Sequence, residues 1–342
     1  MSGYRESDGM LIREQSLAME DTVLADYATH TRASAGRERP EEECPIRTAY
    51  QRDRDRIIHS NAFRRLMHKT QVFLFPQGDH YRTRLTHTLE VGQIARTMAR
   101  GLRLNEDLTE AIAMGHDLGH TPFGHAGEFA LRDCSPFYFV HSEQSVRVVE
   151  CLERDGAGLN VTREVKNGIL CHSDKMPWAD TPEGRVVRFA DKFAYMNHDT
   201  EDAIRAGILD ESELPWEVRY RLGQSRNERL TTLISAVIAN STDGDIKLDK
   251  DILEGYSQLQ QFLFEAVYKN PLAKGEEYKA KDIVCRLYEH YSKNPDRLPE
   301  DYKMVQERDG AERAAVDYIA SMSDRYCVAL YNELYIPKPW GY

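Results

Sequence analysis

The sequence lacks long hydrophobic runs, an apolar N-terminal segment and paired cysteines. None of its apolar stretches approaches the ~18–20 residues that cross a bilayer. The first twenty residues mix both charge signs, unlike the apolar core of a secretory signal. The six cysteines are scattered without a C-x-x-C pair, which indicates free thiols and neither a disulfide framework nor a zinc knuckle. We therefore expect a cytoplasmic protein that does not enter a membrane.

The sequence also lacks an excess of positive charge, since its 45 Lys and Arg are outnumbered by 56 Asp and Glu, which gives a net charge of -11. This balance argues against non-specific binding of nucleic acid or anionic membranes by the whole surface. The exception is segment 47–103, where twelve basic residues face four acidic ones. Most of these arginines are expected on solvated helix faces, and this segment is the only support for nucleic acid as a partner.

Alternating β-type patterns are few and short, at 72–75 and 137–140, whereas helical spacing dominates the chain. Asn105 is the predicted N-cap of a helix that runs to about Asp117, with acidic residues in its first turn. The fold class is therefore predicted to be all-α. Further helical stretches are predicted at 53–69, 85–102, 141–154, 160–171, 183–205, 212–239, 249–268, 275–292 and 308–333.

The predicted organisation has three parts. Residues 1–46 are polar and form an N-terminal arm, which Leu24 and Tyr27 can dock. Residues 47–210 form the core, and residues 211–342 form a C-terminal helical region packed on it. The stretch 269–282 is expected to be an exposed connection.

Histidines are concentrated in one part of the chain, since six of the 12 lie between residues 80 and 141. The segment GHDLGHTPFGHAGE (115–128) places several of them beside carboxylates. His116 and His120 share a helix face if the helix continues through Gly119. A single histidine is more often a structural residue, but burying this whole group unpaired is costly. A divalent cation such as Mn, Fe, Co, Ni, Zn or Mg supplies the missing partner.

An adjacent His116–Asp117 pair needs two further ligands from elsewhere in the chain. His87 lies on the preceding amphipathic helix, in RTRLTHTLEV (82–91). Asp191 lies on a later helix, in RVVRFADKFAYMNHD (185–199).

The order His87, His116–Asp117, Asp191 resembles the H…HD…D signature of the HD superfamily of metal-dependent phosphohydrolases. FRRLMHKTQVF (63–73), RTRLTHTLEV, HDLGHTPFGHAGE and FADKFAYMNHD resemble one branch more closely, the bacterial dGTPase-like deoxynucleoside triphosphate triphosphohydrolases. The resemblance covers residues 36–210. It implies an HD-domain helical core with additional C-terminal helices, and hydrolysis of a dNTP at the α-phosphorus to deoxynucleoside and tripolyphosphate. It also implies one divalent metal ion per active site, Mn, Mg, Fe or Co, at His87, His116, Asp117 and Asp191.

By the same resemblance, three residues beside the metal are catalytic. His125 and Glu128 handle protons, with Glu128 orienting the imidazole, and His120 contacts the α-phosphate. Their alternative role is to support the metal ligands. His141 matches a histidine that faces the phosphates.

The remaining implied residues bind substrate. Arg84, three residues before His87, and Lys192 match phosphate ligands. Tyr195, on the same helix face as Asp191, packs against the deoxyribose and excludes a 2′-hydroxyl. Asp199 accepts the 3′-hydroxyl, and Gln71 contacts the sugar.

Family members assemble as homo-oligomers, often hexamers built from dimers, and some bind an activating nucleotide. Two alternatives remain open. One is an HD phosphohydrolase acting on nucleotide monophosphates or cyclic dinucleotides, although no GYP follows the HD pair. The other is a non-hydrolysing, metal-bound nucleotide sensor or nucleic-acid-binding regulator. The sequence leaves the preferred base and the working metal open.

Overall fold

The computed structural model describes residues 11–71, 82–269 and 276–338. These ranges contain sixteen α-helices and no β-strand, which confirms the all-α prediction. The predicted β-type run 72–75 lies outside them, and 137–140 is not a strand. The helices are α1 (Ile12–Val23), α2 (Ala49–Ile58), α3 (Asn61–Arg65), α4 (Arg84–Gly101), α5 (Glu106–Gly115), α6 (His125–Cys134), α7 (His141–Arg147), α8 (Arg163–Cys171), α9 (Pro182–Arg205), α10 (Trp216–Leu222), α11 (Arg226–Asn240), α12 (Lys250–Leu263), α13 (Glu277–Lys293), α14 (Glu300–Asp309), α15 (Ala311–Ser321) and α16 (Asp324–Tyr335).

Several helix boundaries differ from the periodicity of the sequence. The predicted helix 212–239 is divided at Gly223, whose φ of +116° an L side chain rarely adopts. The predicted helix 308–333 is divided at Gly310 and again before Asp324. Helix α5 begins after the Asn105 cap, as predicted, but it ends at Gly115. His116 and His120 therefore do not share a helix face.

The N-terminal arm is partly helical, because it contains α1 (Ile12–Val23). It docks where the sequence suggested. Leu24 and Tyr27 pack against the hydrophobic core, and the Tyr27 hydroxyl donates to the Leu102 carbonyl at 3.0 Å. No helix in the described ranges has the length and apolar character needed to cross a membrane.

Two hydrophobic cores organise the helices. The larger one joins α2, α4, α5, α8 and α9 with α10–α12, and the smaller one joins α6 with α13–α16. Helix α6 thus packs on C-terminal helices, although it lies inside the predicted core segment 47–210. The division of the chain at residues 46 and 210 stays a prediction.

The polar motif residues lie where the two cores meet, a boundary that we call the seam. The connection from α5 to α6 crosses this seam, and it carries the histidines of segment 115–128. A Cβ atom on Gly119 would stand 2.2 Å from the Ser145 backbone nitrogen and 2.5 Å from the His141 carbonyl oxygen. Only glycine lets this connection lie so close to α7.

Candidate active site

The first turn of α4 presents Arg84 and His87 to the same place. Thr83 caps this helix, since its side chain accepts from the Thr86 amide and the Thr86 side chain bonds the Thr83 amide in return. Arg84 and His87 are both almost fully buried. The Arg84 guanidinium donates to Asp117 Oδ2 at 2.9 Å, which joins α4 to the end of α5.

All four predicted metal ligands meet at one end of a cavity, and we call His87, His116, Asp117 and Asp191 the His/Asp cluster. One ligand atom from each of His87, His116 and Asp117 lies within 4.8 Å of the others. Asp191 Oδ1 is 3.1 Å from His87 Nε2 and 3.8 Å from His116 Nε2.

Hydrogen-bond directions in this cluster favour a cation. His116 Nδ1 donates to the Ala113 carbonyl at 2.6 Å, so Nε2 of the neutral ring carries a lone pair. That buried Nε2 has no hydrogen-bond partner within the described part of the chain, and Asp117 Oδ1 stands 3.5 Å from it. A lone pair therefore faces carboxylate oxygens without a proton between them. The donor set of imidazole nitrogen and carboxylate oxygen fits a divalent cation.

The carboxylates of the cluster are held ionised. Burial opposes ionisation of Asp117, but the adjacent imidazoles of His120 and His116 and the Arg84 guanidinium hold its pKa well below the ordinary value. Burial opposes ionisation of Asp191 as well, but the contact with His87 and the neighbouring His116 lower its pKa. Two ionised carboxylates in a buried pocket increase its affinity for a cation.

Two residues that the sequence analysis did not single out, His198 and Glu90, orient His87. His198 lies seven residues after Asp191 on α9, and its Nδ1 is 3.4 Å from His87 Nδ1. Its Nε2 contacts a carboxylate oxygen of Glu90. Burial lowers the pKa of His198 to about 4, which favours the neutral ring. Glu90, three residues after His87, and His198 thus direct the His87 Nε2 lone pair toward the cluster.

At the other end of the cavity, Glu128 contacts a different histidine from the one predicted. Glu128 Oε2 is 3.0 Å from His141 Nδ1, while His141 Nε2 is 3.3 Å from Nε2 of His172. The expectation that Glu128 orients His125 is therefore not met. His172, at the end of α8, was missed because 31 residues separate it from His141 and it belongs to no motif.

The two remaining predicted catalytic histidines lie between these ends. His120 Nε2 is 3.2 Å from Asp117 Oδ1, and the ring stacks on His141 with centroids 4.0 Å apart. His125 begins α6, is exposed, and meets His120 edge-on at 5.9 Å between ring centroids.

The cavity that joins both ends has a volume of about 280 Å³. The predicted substrate-binding residues that line it are Gln71, Arg84, His141, Lys192 and Tyr195. Asp199 is the exception, because it is fully buried and hydrogen-bonded to Tyr195. Lys192 Nζ is 2.5 Å from Asp174, an exposed carboxylate of the same cavity. Burial and the nearby Asp202 raise the pKa of Asp199 well above its ordinary value. Tyr256 and Gln260 of α12 also line the cavity, from a region in which the sequence offered no motif.

Comparison with known proteins agrees with this architecture. The HD domain model matches residues 84–196, and a phosphohydrolase-associated domain model matches residues 246–333. The solved structure of a phosphohydrolase from Bacteroides thetaiotaomicron superposes with a TM-score of 0.54 at 17% identity, covering 82% of this chain and 69% of that one. At this identity the similarity concerns the fold alone. The site and the fold together define an HD-domain phosphohydrolase.

Relatives that match this chain over nearly its full length identify its family. A deoxyguanosinetriphosphate triphosphohydrolase-like protein of Caldanaerobacter subterraneus is 54% identical over 332 residues, covering 97% of this chain and 98% of its own. A protein of the same name from Desulfatibacillum aliphaticivorans is 47% identical over 349 residues, covering 96% and 99%. The chain belongs to the family of deoxyguanosinetriphosphate triphosphohydrolase-like proteins.

Proposed function

We propose that this protein hydrolyses deoxynucleoside triphosphates, of which dGTP is the first to test, to deoxynucleoside and tripolyphosphate. One observation carries the proposal. A single cavity is lined by His87, Asp117 and Asp191 of the His/Asp cluster, by several cationic side chains and by Tyr195, to which the buried Asp199 is hydrogen-bonded. These three parts match the α-phosphate, the triphosphate charge and the deoxyribose of one substrate.

His87, His116, Asp117 and Asp191 are the proposed ligands of one divalent ion, Mn, Mg, Fe or Co. When bound, such an ion polarises a phosphoryl oxygen as a Lewis acid. The protein itself provides the rigid frame. The Arg84 contact to Asp117 and the His198 contact to His87 keep the ligand atoms aimed inward before substrate arrives.

The triphosphate is proposed to lie along the cationic side of the cavity. Arg84 is buried, so its charge acts through a medium of low polarity and is screened little by salt. Lys192 reaches the same space from α9 once it exchanges its Asp174 contact for a phosphate. His120 and His141, stacked on one another, face the phosphates from the opposite wall.

The sugar is proposed to lie against α9. Tyr195, packed on C2′, leaves no room for a 2′-hydroxyl and so selects deoxynucleotides. The raised pKa of Asp199 favours its neutral carboxyl, which both donates and accepts at a 3′-hydroxyl. Gln71 Oε1 is buried without a partner among the described residues, so it is available to a sugar hydroxyl.

Protons are proposed to move at His125, which is exposed at the mouth of the cavity and within reach of solvent. Glu128 acts on the neighbouring His141. We further propose a cytoplasmic homo-oligomer built from dimers, with an activating nucleotide as an additional ligand.

The test is product analysis after metal-stripped protein is reloaded with Mn and offered each dNTP separately. Deoxynucleoside plus tripolyphosphate is the expected product pair. A monophosphate or diphosphate product would instead favour a different HD phosphohydrolase. The Glu128→Gln variant distinguishes enzyme from sensor, because nucleotide binding should persist while hydrolysis falls by a factor of about 100 or more. Hydrolysis that survives this change would contradict the assignment of Glu128.

A further inference from the structure

Two cysteines from distant parts of the chain meet where α6 packs on α13. Cys134 is the last residue of α6, and Cys285 lies in the middle of α13. Their thiols are hydrogen-bonded to one another, and both side chains pack against the smaller hydrophobic core. We call these two residues the Cys134–Cys285 pair. Neither of them lines the cavity of the candidate active site.

A small residue on α6 lets the two helices approach closely at this point. Ala130 lies about one helical turn before Cys134, and its side chain ends at Cβ. The Cys285 Sγ atom is 3.6 Å from the Ala130 carbonyl oxygen, so it reaches the backbone of α6 itself. Cys285 therefore lies against the last turn of α6, beside the Cys134 thiol. Two thiols held in contact on neighbouring helices are close to the arrangement that a disulfide bond requires.

The two thiols differ in reactivity. Both are free and partly exposed. The hydrogen bond from Cys134 stabilises the Cys285 thiolate and lowers its pKa, although burial and the charges of Asp133 and Asp282 oppose this. The same hydrogen bond, together with burial, raises the pKa of Cys134. Because the thiolate is the nucleophilic form of cysteine, we expect Cys285 to react first and Cys134 second.

We propose that the Cys134–Cys285 pair is a redox site, which hydrogen peroxide converts to a disulfide bond between α6 and α13. Helix α6 carries His125 and Glu128, so this bond fastens a helix of the candidate active site to the C-terminal helices. It closes a loop of about 150 residues, which restricts the unfolded chain and stabilises the fold. Cellular thiols reduce such a bond, so the link is reversible.

The oxidation has two balanced steps. First, the Cys285 thiolate attacks one oxygen of hydrogen peroxide, the O–O bond breaks, and hydroxide takes up a proton and leaves as water. The product is a sulfenic acid at Cys285. Second, the Cys134 sulfur attacks the sulfenic sulfur, the S–O bond breaks, and a second water leaves with the Cys134 proton. In total, two thiols are oxidised and one peroxide is reduced to two waters.

Peptide mapping tests the proposal on the full-length protein. Reduced protein is treated with hydrogen peroxide under native conditions, alkylated, separated as a monomer without reductant and digested with trypsin. Cys134 falls in peptide 133–147 and Cys285 in peptide 282–286, and each peptide contains a single cysteine. We expect these two peptides joined, with two hydrogens fewer than their sum, and separated again by dithiothreitol. In urea, where no fold holds the two thiols together, other cysteine pairings should appear.

Three serine variants assign the reaction. Cys134→Ser and Cys285→Ser should each lose the joined peptides. In Cys134→Ser, the sulfenic acid at Cys285 has no second thiol to attack it, so dimedone should label it. Cys151→Ser is the matched control, because Cys151 is also a partly exposed thiol that contacts a carbonyl oxygen, that of Arg147 at 3.4 Å. It should form the joined peptides to the same extent as the wild type.

Thermal unfolding measures the effect of the bond on the fold. Oxidation should raise the Tm of metal-free wild-type protein by about 5 °C or more, because the closed loop is long. Dithiothreitol should reverse the shift. Oxidation should not raise the Tm of Cys134→Ser or Cys285→Ser.

The opposite results are equally clear. Native protein that yields no joined peptides, or yields other cysteine pairings in similar amounts, would overturn the proposal. Joined peptides together with a lowered Tm would show that the bond forms only by distorting the fold, and would also overturn it. If a serine variant does not fold, the wild-type peptide map decides. None of these readouts involves nucleotide hydrolysis, so the proposal stands or falls separately from the proposed function.

Discussion

The two ends of the cavity are built from the same residue types but satisfy them differently. In the His/Asp cluster, the His116 lone pair faces the carboxylates of Asp117 and Asp191 with no proton between them. The Glu128–His141–His172 chain is a continuous series of contacts, from Glu128 Oε2 through both ring nitrogens of His141 to His172, whose Nδ1 donates to the Ile169 carbonyl. The first arrangement offers donor atoms to a cation, whereas each ring nitrogen of the second already has a contact within the protein.

This difference shows that counting histidines and carboxylates does not identify a metal site. Both groups are buried and both contain an ionised carboxylate with a depressed pKa. In both His116 and His172 it is Nδ1 that bonds a backbone carbonyl, so the distinguishing property is what the other ring nitrogen faces. For His116 that bond turns a lone pair toward carboxylates, and for His172 it turns a lone pair toward another imidazole.

The strongest test of the comparison is Asp117→Asn, which removes a carboxylate from the His/Asp cluster. We expect the variant to lose its metal ion and to lower kcat by about a thousandfold or more, because a bound metal supplies several kcal/mol of transition-state stabilisation. Elemental analysis by mass spectrometry measures the metal, and tripolyphosphate release measures the reaction.

Asp174→Asn is the matched control for that experiment, because Asp174 is an aspartate that lines the same cavity outside the cluster. Its metal content should equal that of the wild type. A full complement of metal in Asp117→Asn would show that the cluster is not where the ion binds.

A smaller effect is expected from Glu90→Gln, which weakens the contact that orients His198 and, through it, His87. Residues that orient a metal ligand typically contribute a factor of about 10 to 100 in metal affinity. Calorimetric titration of metal-free protein with Mn measures this factor. Glu201→Gln is the control, since Glu201 shares Arg82 with Glu90 but forms no hydrogen bond or ion pair with His198 within the described part of the chain. Equal Mn affinities of the two variants would show that the contact between Glu90 and His198 does not contribute to metal binding.

The smallest effect concerns stability in acid. The pKa of Glu128 falls from 4.5 to about 2 on folding, so its contribution is present above pH 4.5 and is lost as pH falls through about 2. This difference corresponds to about 3 kcal/mol of unfolding free energy. Urea unfolding of metal-free protein should therefore show a steeper loss of stability between pH 4.5 and 3 in the wild type than in Glu128→Gln. Parallel curves would mean that the Glu128–His141–His172 chain does not hold Glu128 ionised.

Much of the fold and part of the site could be predicted from the sequence. Helical periodicity and the Asn105 cap are local properties, so the all-α class and the start of α5 were accessible. The contacts of His87 could also have been inferred locally, because His198 lies two helical turns after Asp191 and Glu90 lies one turn after His87. Positions of this kind can be found by extending helix-face arguments from a recognised motif.

The sequence by itself determined which residues are candidates for the chemistry, because motif residues act through their own functional groups. Tertiary structure decided how these residues pair. It placed α6 in the smaller hydrophobic core, gave Glu128 to His141 rather than to His125, and brought His172 from α8 to complete the chain. A hydrogen bond between distant segments depends on angles and distances that many packed side chains fix together, and no local pattern encodes them.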